Sequence, residues 1–305
     1  MDKIITSLDE LWPIPETPQF LLYYDGGVKF VIYDLRPHEY FSTHFAPEDS
    51  HFLFLGSDAP NHVTGNNIFN RIYGYGGNDN LSGGNNVDII FGGSGNDSIA
   101  GFDGNDTLHG DSGYDVIYGM GGDDYISGGD QDDFIIGGTG NDTIDGGTGN
   151  DFIRGGEDND IIYGYDGDDL ISGDSGDDFI YGGAGDDHLL GDTGTNIISS
   201  GAGSDRIYLD LIDQLNIVTD FVKGDAIAVD VTEGIVNTLD AIRSDLNIRW
   251  EAGQYQVTET GTNDVNIDDL IIYHSTGSKD LADEYILMVL EDYTDPLNVG
   301  DFALI

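Results

Sequence analysis

A chain of 305 residues with 58 Asp+Glu against 10 Lys+Arg has a formal charge of −48, and it holds 46 glycines, 7 prolines and no cysteine. So acidic a chain will not hold phosphate backbones, so no nucleic-acid partner is expected. No run approaches the roughly eighteen apolar residues of a membrane span, and the missing cysteine removes disulfides, iron–sulfur clusters and thiol catalysis. Apolar residues make up 38%, so disorder is not forced, but the charge must be screened or the compact state pushes itself apart. A multivalent cation is the obvious agent.

Residues 1–55 differ in kind from the rest of the chain. Met1 to Gln19 has only Lys3 near its start and no continuous apolar core, so it does not read as a secretory signal peptide. Pro13, Pro15 and Pro18 precede FLLYY-DGG-VKFVIYDL, whose turn signal predicts a β-hairpin. His38, Glu39 and His44 are metal-ligand types, but their spacing is not H-E-x-x-H, so surface polar residues beside a strand is the simpler reading. The 55 residues are too few for the core of a protease or lipase domain, and no G-x-S-x-G occurs anywhere in the chain. We read this part as an N-terminal cap over an open sheet edge.

Residues 56–208 are a repeat. Between Gly74 and Tyr208 lie 36 of the 46 glycines and 28 Asp+Glu, with only Arg154 and Arg206 as basic residues. Self-comparison gives fifteen consecutive nonapeptides without insertion or deletion, such as GGSGNDSIA at Gly92 and GGTGNDTID at Gly137. Position one is Gly in fourteen units: Gly74, Gly83, Gly92, Gly101, Gly110, Gly119, Gly128, Gly137, Gly146, Gly155, Gly164, Gly173, Gly182 and Gly191. Position six is Asp in fourteen, the exception being Asn196, and position eight is Ile or Leu in all fifteen. Two degenerate units, 56–73, precede them in register, with Asn61 and Asn70 at position six.

A segment of Gly and Asp cannot be helix interior and reads as a turn. The three residues after it place one aliphatic inward and its neighbours outward at strand period. Each nonapeptide is then half a coil. Stacked coils pair their strands in parallel and pile the Ile/Leu row into a narrow core, and no coil is stable alone. Stacking at about 4.8 Å brings the position-six aspartates of every second unit into register. A hard cation taking six to eight oxygens relieves that repulsion, and calcium suits it better than magnesium or softer metals.

GGxGxDxUx resembles the nonapeptide of the repeats-in-toxin (RTX) proteins, the hemolysin-type calcium-binding repeat. The resemblance implies an all-β fold, a parallel β-roll with a calcium ion between turns along each edge. It implies ligation by carbonyls of positions one and three of one turn and two and four of its neighbour, together with the position-six side chains. Those are Asp79, Asp88, Asp97, Asp106, Asp115, Asp124, Asp133, Asp142, Asp151, Asp160, Asp169, Asp178, Asp187 and Asp205, with the position-one glycines Gly74 to Gly182. On the order of ten calcium ions follow from that count of pairs. Three kinds of departure stand out: Asn196 removes a carboxylate, Gln131 replaces the position-four Gly where positive φ is expected, and Asn86 and Asp158 do so with residues that tolerate it better.

Residues 209–305 read as a C-terminal, mostly-β capping domain. IVTDFVKGDAIAVD is strand, turn, strand; Ile235, Leu239, Ile242 and Leu246 follow helical spacing; Tyr285 to Leu290 is a strand. DFVKGDAIAV resembles the segment that follows the repeats in many RTX proteins, and the terminal EDYTDPLNVGDFALI resembles their C-terminal secretion signal. That resemblance implies a type I ABC exporter as partner and a secreted, extracellular or cell-surface location. The repeats would stay unfolded at cytosolic calcium and fold outside.

The outward positions seven and nine carry Val116, Tyr118, Phe134, Ile136, Phe152, Leu170 and Leu190 on one sheet. Ile89, Phe91, Tyr125, Ile161, Tyr163, Phe179, Tyr181 and Ile197 lie on the other. Exposed β-formers explain this simply; the sharper expectation is that the C-terminal domain or a second chain covers a face. The function expected is a non-enzymatic calcium-binding surface, matrix or adhesion protein, with cell-surface polysaccharide or self-association as further contacts. An export module of an extracellular enzyme is the alternative, although the appended catalytic domain of such proteins is not found. Ice binding is a third class, disfavoured because Thr139 and Thr148 lie in consecutive units on opposite edges and form no flat rank.

Overall fold

The computed structural model describes residues 51–209, 214–220 and 225–229, with side chains for 53–208, 216–220 and 225–226. It also describes the strands Lys3–Ile5, Phe20–Asp25, Val28–Asp34, Leu246–Trp250, Leu270–Ser275, Glu284–Leu290 and Phe302–Leu304. His38, Glu39, His44 and the expected helix over Ile235–Ile242 lie outside the described residues, while Leu246 opens a strand. The chain forms two compact units, Met1–Glu157 and Asp158–Ile305. Among the described residues there is no helix, and both units are parallel β-rolls.

In the first unit, one sheet stacks Asn70–Gly76, Asp88–Ser94, Thr107–Ser112, Tyr125–Asp130 and Thr143–Thr148. The other stacks Asn80–Ser82, Ser98–Asp103, Val116–Gly121, Phe134–Thr139 and Phe152–Glu157. Within these two stacks every pairing is parallel with partners 18 residues apart, as in Leu108↔Ile126 and Ile117↔Ile135. The expected hairpin is present: Phe20–Asp25 runs antiparallel to Val28–Asp34, which extends the first sheet by pairing with His51–Ser57.

The second unit repeats the plan with Ile161–Asp166, Phe179–Ala184 and Gly194–Ala202 in one sheet and Leu170–Ser175, His188–Leu190 and Arg206–Leu209 in the other. The strands read from IVTDFVKGDAIAVD do not form a hairpin. Gln214–Val218 adds to the first sheet and Ala226–Val229 to the second, so the coil continues past Tyr208. The predicted strand near Tyr285 is Glu284–Leu290, which pairs with Gln214–Val218. Phe302–Leu304 pairs with Ala226–Val229.

The core is the position-eight row. Leu81, Ile90, Ile99, Leu108, Ile117, Ile126, Ile135, Ile144 and Ile153 in the first unit, and Ile162, Ile171, Ile180, Leu189, Ile198 and Ile207 in the second, are all fully buried. Each burial is worth roughly 1.5–3 kcal/mol. Most strands are longer than the three residues expected, running from position seven through position three of the next unit, as in Val116–Gly121, while Asn80–Ser82 and His188–Leu190 keep to three. The turn proper is therefore only positions four to six. Outward side chains stack along the roll: Tyr73 on Phe91 at 5.2 Å and Phe91 on His109 at 4.6 Å, Phe134 on Phe152 at 4.9 Å, and Tyr163 on Tyr181 at 4.9 Å. Other outward side chains stay open to solvent, with Tyr125 and Phe179 each 41% exposed.

Candidate metal centre

Position six lies where the turn enters the strand, so its backbone N–H points along the stack at the next turn. The aspartate there accepts it. Asp79 N donates to Asp97 Oδ1 and Asp88 N to Asp106 Oδ1, each at 2.7 Å; the ladder continues through Asp115, Asp124 and Asp133 to Asp142 and Asp151. In the second unit Asp160 N donates to Asp178 Oδ1 and Asp169 N to Asp187 Oδ1, both at 2.9 Å, and Asp187 N to Asp205 Oδ1 at 3.0 Å. All fourteen aspartates are buried. One oxygen of each carboxylate thus carries the stack.

The other oxygen has a different fate. In all fourteen, Oδ2 is buried and accepts no hydrogen bond, an arrangement that costs more than the bond itself is worth. Oδ2 faces a second acceptor. A Cβ added at Gly74 would fall both on Asp79 Oδ2 and on the carbonyl oxygen of Gly92; Gly119 stands in the same relation to Asp124 Oδ2 and Gly137 O, and Gly164 to Asp169 Oδ2 and Gly182 O. The relation recurs at Gly83, Gly92, Gly101, Gly110, Gly128, Gly137, Gly173 and Gly182, and the carbonyls of Gly146 and Gly155 face the Gly128 and Gly137 positions. Position-one glycine is therefore present for space. A carboxylate Oδ2 and a carbonyl oxygen converge where a side chain would stand.

Burial is the first cause of a raised carboxyl pKa along the row, with neighbouring aspartates adding to it. Asp88, Asp124 and Asp133 are pushed up to about 8, Asp79, Asp115, Asp178 and Asp187 to about 7, and Asp106, Asp151 and Asp205 to about 6. Either a proton or a cation relieves such a group, and the cation relieves two at once.

Asparagine relieves it in a third way. At Asn70, on the same edge as Asp88, Nδ2 donates to the carbonyl oxygens of Gly83 at 3.2 Å, Ile68 at 2.7 Å and Asn66 at 3.0 Å, and to Asp88 Oδ1 at 2.7 Å. The amide fills the gap that Oδ2 leaves open elsewhere. Asn196 likewise accepts from Asp178 N at 3.0 Å and turns its Nδ2 toward Asn216 Oδ1 at 3.4 Å.

Two features are not evident from the sequence alone. Position five forms an outer ladder parallel to the buried one: Asp123 N donates to Asn105 Oδ1 at 3.1 Å, Asn141 N to Asp123 Oδ1 at 2.9 Å, and Ser204 N to Asp186 Oδ1 at 2.9 Å. Its signal is the run of Asn and Asp at that position. Positive φ occurs at position two as well as position four. Gln131 (φ 81°), Asn86 and Asp158 adopt it at position four as expected, but Tyr75 (φ 72°), Phe102, Met120 (φ 82°) and Tyr165 adopt it at position two. Bulky residues hide that requirement.

The family described as RTX calcium-binding nonapeptide repeat matches residues 64–99, 100–135, 127–162, 136–171, 163–198 and 172–207. Residues 64–207 belong to the RTX repeat family. A comparison with curated proteins finds no match. Among solved structures, the extracellular lipase LipA from Serratia marcescens aligns at 15% identity with a TM-score of 0.36, covering 91% of this chain and 42% of that one. The chain thus spans less than half of the lipase's length.

The RTX repeats bind calcium, and the turns fit it. The donors are all oxygen: carboxylate Oδ2 atoms and the carbonyls opposite them. Among the described residues no three His, Cys, Asp or Glu side chains gather as one ligand set. A calcium ion takes six to eight oxygens, so carbonyls would have to join the carboxylates in its shell, and the position-one glycines leave them room to approach.

Proposed function

We propose that this chain is a secreted protein whose RTX roll folds when it meets extracellular calcium after type I export, and that it serves outside the cell as a non-enzymatic surface, matrix or adhesion component. The observation that carries the reading is the row of fourteen buried Oδ2 atoms that accept no hydrogen bond. In a calcium-poor cytosol these carboxylates repel one another and oppose stacking, which keeps the chain extended for passage through an exporter. At millimolar calcium, where extracellular modules bind with Kd of about 10⁻⁴–10⁻³ M, the ions and the coils assemble together. About ten ions, each shared by two turns, bring a charge comparable to that of the repeats.

The test is circular dichroism with size-exclusion light scattering on the chelator-stripped chain, titrated with calcium and, separately, with magnesium. A cooperative gain of β signal with contraction in calcium alone supports the reading. A compact β fold in excess chelator at neutral pH refutes the export-and-fold mechanism. Secretion itself is tested by co-expressing the chain with a type I exporter and assaying the medium, with the last fifteen residues deleted as the control.

A further inference from the structure

The nonapeptide period ends at Tyr208, yet the coil does not. Past that point the pairing step lengthens from 18 residues to 20, as in Ile198↔Val218 and Ile207↔Ile227. The two additional residues break the period while leaving the stack intact, and they bring residues outside the repeats onto both edges of the second unit.

The two edges end differently. On one, Asp178 is followed by Asn196 and then Asn216, both fully buried. Asn196 Oδ1 accepts from Asp178 N and Asn196 Nδ2 donates to Asn216 Oδ1. This end is neutral and needs no ion. On the other edge the carboxylates continue. Asp205 is fully buried, its Oδ2 accepts no hydrogen bond, and its backbone N donates to Asp225 Oδ1 at 3.3 Å. Asp225 is itself only 3% exposed, and its Oδ2, unlike those of the repeats, accepts a long hydrogen bond from Ser200 Oγ at 3.5 Å. Asp220 holds this turn in place: its carboxylate accepts from Ser200 N at 2.7 Å, Gly201 N at 3.0 Å and Ser199 Oγ at 2.7 Å.

We propose that Asp205 and Asp225 hold one further calcium ion beyond the last nonapeptide, and that Asn196 and Asn216 close the opposite edge without one. This rests on the calcium reading of the repeats. Its consequence is specific to this chain: the extra ion ties Asp225, and with it the strand Ala226–Val229, to the final repeat, so docking of that strand depends on calcium even though it lies outside the repeats.

The experiment counts calcium bound per chain by titration calorimetry in excess magnesium, on the full chain, with β structure checked by circular dichroism. Asp225→Asn is expected to lose one ion relative to wild type. Asp106→Asn, which removes a carboxylate shared by two repeat sites, is expected to lose two. If Asp225→Asn keeps the full count while Asp106→Asn loses two, the proposal is overturned and the repeat reading stands. If the wild type binds no calcium, the repeat reading falls and takes this one with it. Should Asp225→Asn fail to fold, the double variant Asn196→Asp with Asn216→Asp decides. Two added ions show that a 20-residue step holds an ion; one ion, from the Asp178 pair alone, or none overturns the proposal.

Discussion

Asp124→Asn is expected to change stability in opposite directions with and without calcium. Asp124 sits mid-ladder, accepting from Asp106 N and donating to Asp142 Oδ1 at 2.7 and 2.8 Å, so it serves the turns on both sides. Without metal, its carboxyl is pushed from the ordinary 3.8 up to about 8 by burial, then by Asp142, Asp106 and Asp123. At about 1.4 kcal/mol per tenfold that interval is roughly 6 kcal/mol. Water and counter-ions reaching the turn reduce it to about 2–3 kcal/mol at slightly alkaline pH. An amide removes that penalty, and its Nδ2 gains the Gly137 carbonyl much as Asn70 gains that of Gly83. The variant is therefore expected to be the more stable protein in chelator by about 2 kcal/mol. In about 10 mM calcium, with Kd near 10⁻⁴–10⁻³ M, each filled site contributes about 1.4–2.7 kcal/mol. Weakening two sites then costs about 3–5 kcal/mol by the same relation. Urea unfolding in calcium, with the slope checked for two-state behaviour, reads the second number; in chelator, where the chain starts unfolded, the amount of a protecting osmolyte needed to restore β signal in each protein reads the first. A variant less stable than wild type in chelator would refute the view that the buried Oδ2 opposes the apo fold.

Protonation offers the same relief as calcium. The folded pKa of about 6 at Asp106, about 7 at Asp79 and about 8 at Asp124 lies above the ordinary 3.8, so over that window the folded state binds more protons and stability falls as pH rises. The chelator-stripped chain should gain β signal between about pH 8 and about pH 5, and a flat circular dichroism profile would contradict this. Gly119→Ala should cost about 3 kcal/mol in calcium because its Cβ meets Asp124 Oδ2 and Gly137 O. Gly121→Ala, whose Cβ has nothing nearer than Thr139 Oγ1 at 3.4 Å, should stay within about 0.5 kcal/mol; comparable losses in thermal melts would reject the spatial role of position one. Gln131→Gly, which relieves a left-handed φ of 81°, should raise stability in calcium by roughly 1 kcal/mol by urea melt. Ile135→Ala should cost about 2–5 kcal/mol in the same assay, since the row has no slack to fill the cavity.

The roll and its aspartate row were legible because the period of nine is unbroken over fifteen units, so position eight had to point inward and every second aspartate had to meet. What was illegible has physical reasons. Gly at position one looks like Gly at positions two and four, but only the latter two carry positive φ, and the first is there for space. The strands reach through position three because parallel pairing resumes after each position-one glycine, as in Asp111↔Gly129, which no hydrophobic pattern announces. Asn216 and Asp225 are hard to find because two extra residues shift them out of phase while backbone pairing compensates. Asn196 reads in sequence as a missing carboxylate; in the fold its Nδ2 donates a hydrogen bond to Asn216 Oδ1, a partner that the period of nine does not announce.

The 18-residue pairing step also sets a rule for how such a chain can change length. A coil contacts only the coils above and below it, so loss or gain of a whole coil leaves every remaining register pair unchanged. Loss of a single nonapeptide keeps the inward row inward but moves all later strands to the opposite sheet. Phe152 would then leave the stack on Phe134 and join the row of Tyr125. Replication slippage would thus be filtered by parity: even steps preserve both outer faces, and odd steps scramble them.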